Sequence, residues 1–346
     1  MAVETVIKGE TLRRFCVEVL ETLNLSPEHA AICADALVDA DLRGIDTHGI
    51  MRLPTYVGYL KEGYYNARPN VRILKESPVH ALFDGDLGLG FIVSAEAMRW
   101  CIARAKESGF AMAGVRNSRH NGAAGYWAIM AAEAGLIGFA STNVIPVMAP
   151  PGSMRATHGN NPMSVAVPAS EQPMLVLDMA SSNKAWGNIL NYKREGKSIP
   201  LGWGIDAEGN DTDDPAKVAS LLPFGEGGYK GYGLSLVLDV LCGVLTGAAF
   251  ARRFGPKRLD DGVGHFFAAI DPQLFLPLDE FKANVDETLS EVRTAPRKAG
   301  VERIYIPGEI EAETKARRLR EGIPIPPGLR RELEGLSADL GVQLMA

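Results

Sequence analysis

Val79-His80-Ala81-Leu82-Phe83-Asp84-Gly85-Asp86-Leu87-Gly88-Leu89-Gly90 is the stretch on which the fold turns. Val79 to Phe83 reads as a short strand, and Val93 to Ser108 reads as a helix. A glycine-rich turn therefore stands where a dinucleotide fold would place its phosphate loop. The glycines come in the wrong order. A Rossmann fingerprint is G-x-G-x-x-G, whereas Gly85 to Gly90 runs G-x-x-G-x-G after one short strand. The chain reads as α/β without a Rossmann site.

Outward from this stretch, Ala111 to Val115, Ile137 to Ser141, Ser164 to Val167, Met174 to Leu177 and His265 to Ile270 read as further strands. Helical patterns alternate with them at Ala123 to Ala134, Ser182 to Tyr192, Gly233 to Leu245 and Leu278 to Arg293. Before Val79 the chain is helical. Leu12, Phe15, Cys16, Val19, Leu20 and Leu23 recur at helical spacing, and Ser26-Pro27 caps a second helix that Gly44 ends. A third helix is expected after Thr47, kinked at Pro54 and stopped at Gly63. From Glu309 to Leu344 a charged helical pattern, broken by Pro324, Pro326 and Pro327, is expected to pack back on the N-terminal helices. The expected units are a helical 1–78, an α/β 79–300 and a C-terminal helical 301–346.

Composition narrows the function. The 346 residues are 46% hydrophobic and 23% charged, with 37 glycines, as in an ordinary globular enzyme. A net charge of −6 offers no basic surface for nucleic acid, so no polynucleotide partner is expected. Cys16, Cys33, Cys101 and Cys242 form no CxxC pair and read as reduced core residues, and the six histidines do not pair at ligand spacing, so no metal site is expected. The apolar run Leu234 to Phe250 is broken by Asp239 and Gly243, and no N-terminal segment has the pattern of a signal peptide. No membrane span and a cytoplasmic location are expected.

Three clusters carry candidate chemistry. In Arg43-Gly44-Ile45-Asp46-Thr47-His48-Gly49-Ile50-Met51-Arg52, a helical conformation would put His48 and Arg52 on one face. Arginine's planar fork suits a carboxylate and histidine titrates near neutrality. The plainer reading is a structural histidine capped by Thr47, with Arg52 in a salt bridge. In Arg116-Asn117-Ser118-Arg119-His120-Asn121-Gly122, at a strand end, His120 is a candidate general base or part of a polar turn. In Leu177-Asp178-Met179-Ala180-Ser181-Ser182, Asp178 could orient an imidazole or cap the following helix. Downstream, Gly225-Glu226-Gly227-Gly228-Tyr229-Lys230-Gly231 enters a helix and could hold phosphate on backbone N–H groups and Lys230, although it is no Walker A loop.

In order along the chain, these segments, with Arg52-Leu53-Pro54, Asn160-Asn161-Pro162, Pro223-Phe224-Gly225 and Ile306-Pro307-Gly308-Glu309, closely resemble the type 2 malate/L-lactate dehydrogenases over nearly the whole length. That family includes ureidoglycolate and sulfolactate dehydrogenases, diketogulonate reductases and piperideine-2-carboxylate reductases. The resemblance implies a non-Rossmann fold with a largely antiparallel sheet flanked by helices, plus a helical substrate-side domain. It implies NAD or NADP as cofactor, a small carboxylic acid as substrate, and a homodimer. By resemblance His120 is the proton acceptor, Thr47, His48 and Arg52 serve the substrate, and His120, Asp178, Met179, Ala180, Lys230, Pro307, Gly308 and Glu309 contact the cofactor. Departures are Asn121 in place of an aromatic residue, Asn160 in place of threonine, and the extra Glu226-Gly227. They bear on substrate and cofactor preference.

The expected reaction is hydride transfer at C2 of a 2-hydroxy or 2-keto acid, with Arg52 on the carboxylate and His120 on the hydroxyl proton. The rivals are reduction of a cyclic imine carboxylate, with Thr47, His48 and Asp178 relaying the proton, and a Ser/Thr-His-Asp hydrolase, against which stands the lack of a G-x-S-x-G elbow. A non-catalytic dinucleotide-binding protein is the blandest reading.

Overall fold

The computed structural model describes residues 5–254 and 262–344. Strand β1 (Thr5–Ile7) leads into α1 (Gly9–Thr22), whose Leu12, Phe15, Cys16, Val19 and Leu20 are buried. Helix α2 (Pro27–Leu42) starts as its sequence dictates: Ser26 Oγ accepts from His29 N at 3.2 Å, with proline in the first turn. After Gly44, in the left-handed region at φ 79°, the chain departs from expectation. Two 3-10 turns, Asp46–His48 and Ile50–Arg52, take the place of an α-helix. Helix α3 (Leu53–Lys61) then begins, and Pro54 sits in its first turn instead of kinking it.

The sheet begins ahead of the expected boundary, at β2 (Arg72–Glu76), followed by β3 (His80–Asp84). Then come α4 (Gly90–Ser108), β4 (Phe110–Ser118), α5 (Ala124–Glu133), β5 (Ile137–Thr142), β6 (Met163–Val167) and β7 (Leu175–Met179). Helix α6 (Trp186–Glu195) starts four residues later than its pattern suggests, and a short ribbon follows of β8 (Gly204–Ile205) and β9 (Ser220–Leu221). Helix α7 (Tyr229–Asp239) continues as a π-helix over Val240–Val244. Strand β10 (Val263–Ile270), α8 (Leu278–Thr294), α9 (Glu309–Glu321), β11 (Ile323–Ile325) and α10 (Pro327–Leu340) complete the described chain.

Among the described residues the main sheet runs β2-β3-β4-β10-β5-β6-β7, and β3 with β4 is its parallel pair; the other ladders are antiparallel. The turn that mimics a phosphate loop therefore opens the parallel β3-α4-β4 crossover. Asp86 and Leu87 take left-handed φ of 48° and 55° to make that turn. Consecutive residues of β4 face opposite ways: Val115 enters the main core, whereas Gly114 meets Thr246 beyond the π-helix.

The C-terminal elements lie against the N-terminal ones. Strand β11 pairs antiparallel with β1, α9 packs on α2, and α10 packs on α1. One apolar core joins these helices to the sheet, crossing the expected boundary at residue 78. A second, smaller core of Met148, Ile189, Ile199 and Leu221 lies inside the stretch expected as one α/β unit.

Candidate active site

The loop Gly44 to Arg52 is shaped by a carboxyl group at the end of α2. Asp41 Oδ2 accepts from Ile50 N at 2.7 Å, and Gly49 lies so close that a Cβ there would come within 2.5 Å of that oxygen. Arg318 of α9 donates to Asp41 O and to Asp46 Oδ1. Burial pushes the Asp41 carboxyl up to about 8, against the pull of the Ile50 hydrogen bond. These long-range bonds replace the helical ones that local spacing would favour.

The two turns bring His48 and Arg52 to one place. His48 Nδ1 lies 3.0 Å from Thr47 Oγ1, and Arg52 Nε donates to Thr47 O at 2.7 Å. That bond fixes the guanidinium while its two terminal nitrogens make no hydrogen bond among the described residues. The plainer reading of Arg52 as a salt-bridge partner does not hold.

His120 arrives from the end of β4. Its Nδ1 lies 2.7 Å from Tyr56 Oη and faces the Gly122 backbone N–H at 3.2 Å. The His48 and His120 rings are stacked, with centroids 5.6 Å apart and planes 22° from parallel. Burial and then the nearby Arg52 push His48 down to about 4. His120 is pushed well down by burial, then by Arg52, His48 and His265. Both rings are therefore neutral near pH 7, and a neutral imidazole can take a proton.

The glycine turn after β3 forms the bed of this strand end. Gly85 N donates to Arg116 O at 2.9 Å, Leu87 N to Asn117 O at 2.7 Å and Gly90 N to His120 O at 3.2 Å. Beneath it, His265 of β10 joins Ser118 Oγ through Nε2 at 2.7 Å and Thr142 Oγ1 through Nδ1 at 2.8 Å, and burial pushes it down to about 3.

Among the described residues Asp178 bonds no imidazole. Its Oδ2 accepts from Gly125 N at 2.9 Å, so it caps α5, which precedes it in the chain, and not the helix that follows. Burial raises its pKa to about 6, and the Gly125 bond opposes the shift. The bond ties β7 to the helix that begins just after the His120 loop.

The other expected cofactor residues gather beside Asp178, Met179 and Ala180. Val176 N donates to Pro307 O at 3.0 Å, which covers the edge of β7, and Gly308 (φ 88°) lies where a Cβ would come within 2.7 Å of Val176 Cβ. Glu309 is buried and bonded to Arg293, Arg303 and Ile306 N, so its carboxylate shapes the turn. Phe224 N donates to Ser181 O at 3.1 Å, which sets the glycine loop beside the same strand end, and Lys230 is exposed in the first turn of α7. These residues fit a dinucleotide: two helix starts and an exposed lysine for phosphates, beside strand ends where side chains would obstruct. Among the departures, Asn160 joins this cluster through Ser182 Oγ at 3.1 Å. Asn121 does not reach the site: it is buried and bonds Ser94 Oγ at 3.1 Å.

Sequence reading missed Tyr56, Asp41 and His265. Tyr56 was findable, since it stands one helical turn beyond Arg52 in a segment that continues into α3. Asp41 and His265 act through contacts no local pattern announces. Among the described residues, no group of three or more His, Cys, Asp or Glu is placed to hold a metal, and no helix is long and apolar enough to cross a membrane.

A paired-histidine site with an anchored arginine, on an α/β fold lacking the Rossmann turn, defines a class, and the chain belongs to the malate/L-lactate dehydrogenase family, whose profile matches residues 7–334. It is 42% identical to the malate dehydrogenase of Pyrococcus horikoshii, over 97% of this chain and 96% of that protein. It is 38% identical to the L-sulfolactate dehydrogenase of Methanocaldococcus jannaschii, over 98% of each. The crystal structure of malate dehydrogenase from Entamoeba histolytica superimposes with a TM-score of 0.95, at 32% identity, over 99% of both chains.

Proposed function

We propose that this protein is an NAD- or NADP-dependent dehydrogenase of small 2-hydroxy acids. The observation that carries this reading is the pairing of a neutral His120 with an Arg52 anchored through Nε and open at its terminal nitrogens. Arg52 holds the substrate carboxylate in two-point contact. His120 takes the C2 hydroxyl proton during oxidation and returns it during reduction. Held beside Asp178, Met179, Ala180, Lys230, Pro307, Gly308 and Glu309, the nicotinamide cofactor would accept or supply the C2 hydride. Thr47 and His48, the latter stacked on the His120 ring, line the substrate space.

The position of Asp178 favours this reading over its rivals. Thr47 and His48 are in contact, whereas among the described residues the Asp178 carboxyl group bonds Gly125 N and no histidine, which weighs against a Thr-His-Asp hydrolase and an Asp178-fed imine relay. A homodimer is supported by the outer face of α7 and its π extension, where Leu236, Val237, Val240, Val244 and Leu245 are all exposed. Four free, buried cysteines and a net charge of −6 support a cytoplasmic setting.

The test is consumption of NADH and of NADPH, followed by absorbance, against oxaloacetate, pyruvate, sulfopyruvate, oxalurate and piperideine-2-carboxylate. Turnover with a keto acid, falling ~10²- to 10⁴-fold in His120→Ala, is expected. Turnover with the imine alone, or none with any substrate, would overturn the reading.

A further inference from the structure

We propose that Tyr56 is a positioning residue that sets which nitrogen of His120 carries the hydrogen, and so whether the ring can take a proton from substrate. The inference rests on the reading of His120 as the base. Tyr56 is 3% exposed and lies on the inner side of the ring, bonded to Nδ1 at 2.7 Å. Nε2 makes no hydrogen bond among the described residues and is not enclosed by them, so it is the nitrogen open to substrate.

Two groups contest Nδ1. Gly122 N–H, at 3.2 Å, is fixed in the backbone and can only donate. Acting alone, it would keep Nδ1 unprotonated and place the hydrogen of the neutral ring on Nε2. That tautomer has no lone pair toward substrate. The Tyr56 hydroxyl can turn. As an acceptor it stabilises Nδ1–H, leaves Nε2 bare for the substrate proton, and then supports the imidazolium that forms. The surroundings supply no substitute: the other charged or titratable groups around the ring are Arg52, His48 and His265, all of which disfavour its protonation, and Tyr65, whose hydroxyl takes the His120 backbone N–H.

Reduction of a keto acid needs the imidazolium, so its rate is present below the pKa of His120 and lost as pH rises through it. Loss of the hydroxyl acceptor lowers that pKa further, so in Tyr56→Phe the descending limb moves to lower pH. Oxidation needs the neutral ring, and its ascending limb moves the same way.

Wild type, Tyr56→Phe and His120→Ala are compared by kcat across pH in both directions, and by nitrogen NMR of histidine-labelled protein. Tyr56→Phe is expected to lose about ten- to a hundredfold in kcat, as for a hydrogen bond to a charged group. Its limb should fall by about one to two pH units. The NMR should show hydrogen on Nδ1 in wild type and on Nε2 in the variant. Turnover within about twofold of wild type, with unmoved limbs and an unchanged tautomer, overturns the proposal while leaving His120 as base. Near-normal turnover in His120→Ala overturns the base reading, and this proposal with it. If Tyr56→Phe fails to fold, the wild-type spectrum decides: hydrogen on Nε2 throughout refutes the role.

Discussion

Gly90→Ala perturbs the site from a position that touches no ligand. Gly90 opens α4 at an ordinary negative φ, so the substitution brings no backbone strain. The effect is steric. A Cβ there would overlap the carbonyl oxygen of Arg119 and stand 2.9 Å from both its carbonyl carbon and Asn121 Cβ. Restoring ordinary carbon–carbon separations of ~3.5 to 4.0 Å moves the segment flanking His120 by at least roughly 0.6 to 1.1 Å, and the closer carbonyl oxygen demands more. The neighbour is backbone, so no rotamer can absorb the displacement, and Asn121 is itself pinned by Ser94 and by Trp127 Nε1. Misplacement of that size costs about 10²-fold in rate, and overpacking costs about 1 to 3 kcal/mol of stability. The assay is kcat on the preferred 2-keto acid beside a thermal unfolding curve. The expected result is a loss in kcat near 10²-fold with KM little changed, because Arg52 sits on another segment. Catalysis within about twofold of wild type would show that the turn does not set the position of His120.

Arg52→Ala should raise KM for anionic substrates by about ten- to a hundredfold, the worth of a charge-assisted contact, and an unchanged KM would remove Arg52 from the carboxylate site. Asp41, raised to about 8 in the folded chain, binds its proton more readily folded than unfolded, so it draws stability down as pH climbs from the ordinary carboxylate range to about 8. Asp41→Asn should flatten that decline in melting temperature, and an equally steep decline would contradict the raised value. Val240→Glu, in the apolar face of the α7 extension, should yield monomers by sedimentation if that face joins two copies, and an unaltered mass would place the interface elsewhere.

Much of the fold was legible because periodicity reports burial. The α1 stripe, the Ser26-Pro27 cap and the strands bounded by turn residues all stand where their patterns put them. The wrong glycine order at Gly85 to Gly90 correctly excluded a Rossmann turn, but its actual use, as backbone support for residues 116–120, depends on a contact no local rule encodes. Residues 46–52 show the opposite failure. Their spacing favours a helix, and the carboxyl group of Asp41 with Arg318 from the far end of the chain holds two 3-10 turns instead. His48 and Arg52 came together all the same, by a different geometry. Asp178 was read for chemistry because it lies at a strand end, and it is occupied by the start of a helix some fifty residues earlier in the sequence.

The residues expected to meet substrate, with His120, which is expected to meet the cofactor as well, lie within residues 47–56 and 116–122, whereas the other expected cofactor residues are scattered over 178–180, 230 and 307–309. The hydrogen bond from Gly125 to Asp178 ties the second set to the helix that follows the first. Such a chain is modular with respect to inheritance. On the proposed roles, substitutions near Thr47 or Tyr56 would redraw the range of acids accepted while the remaining segments keep their sequence, and a change of cofactor would be acquired without revisiting His48. A fold divided in this way lends itself to diversification by short replacements along its first third.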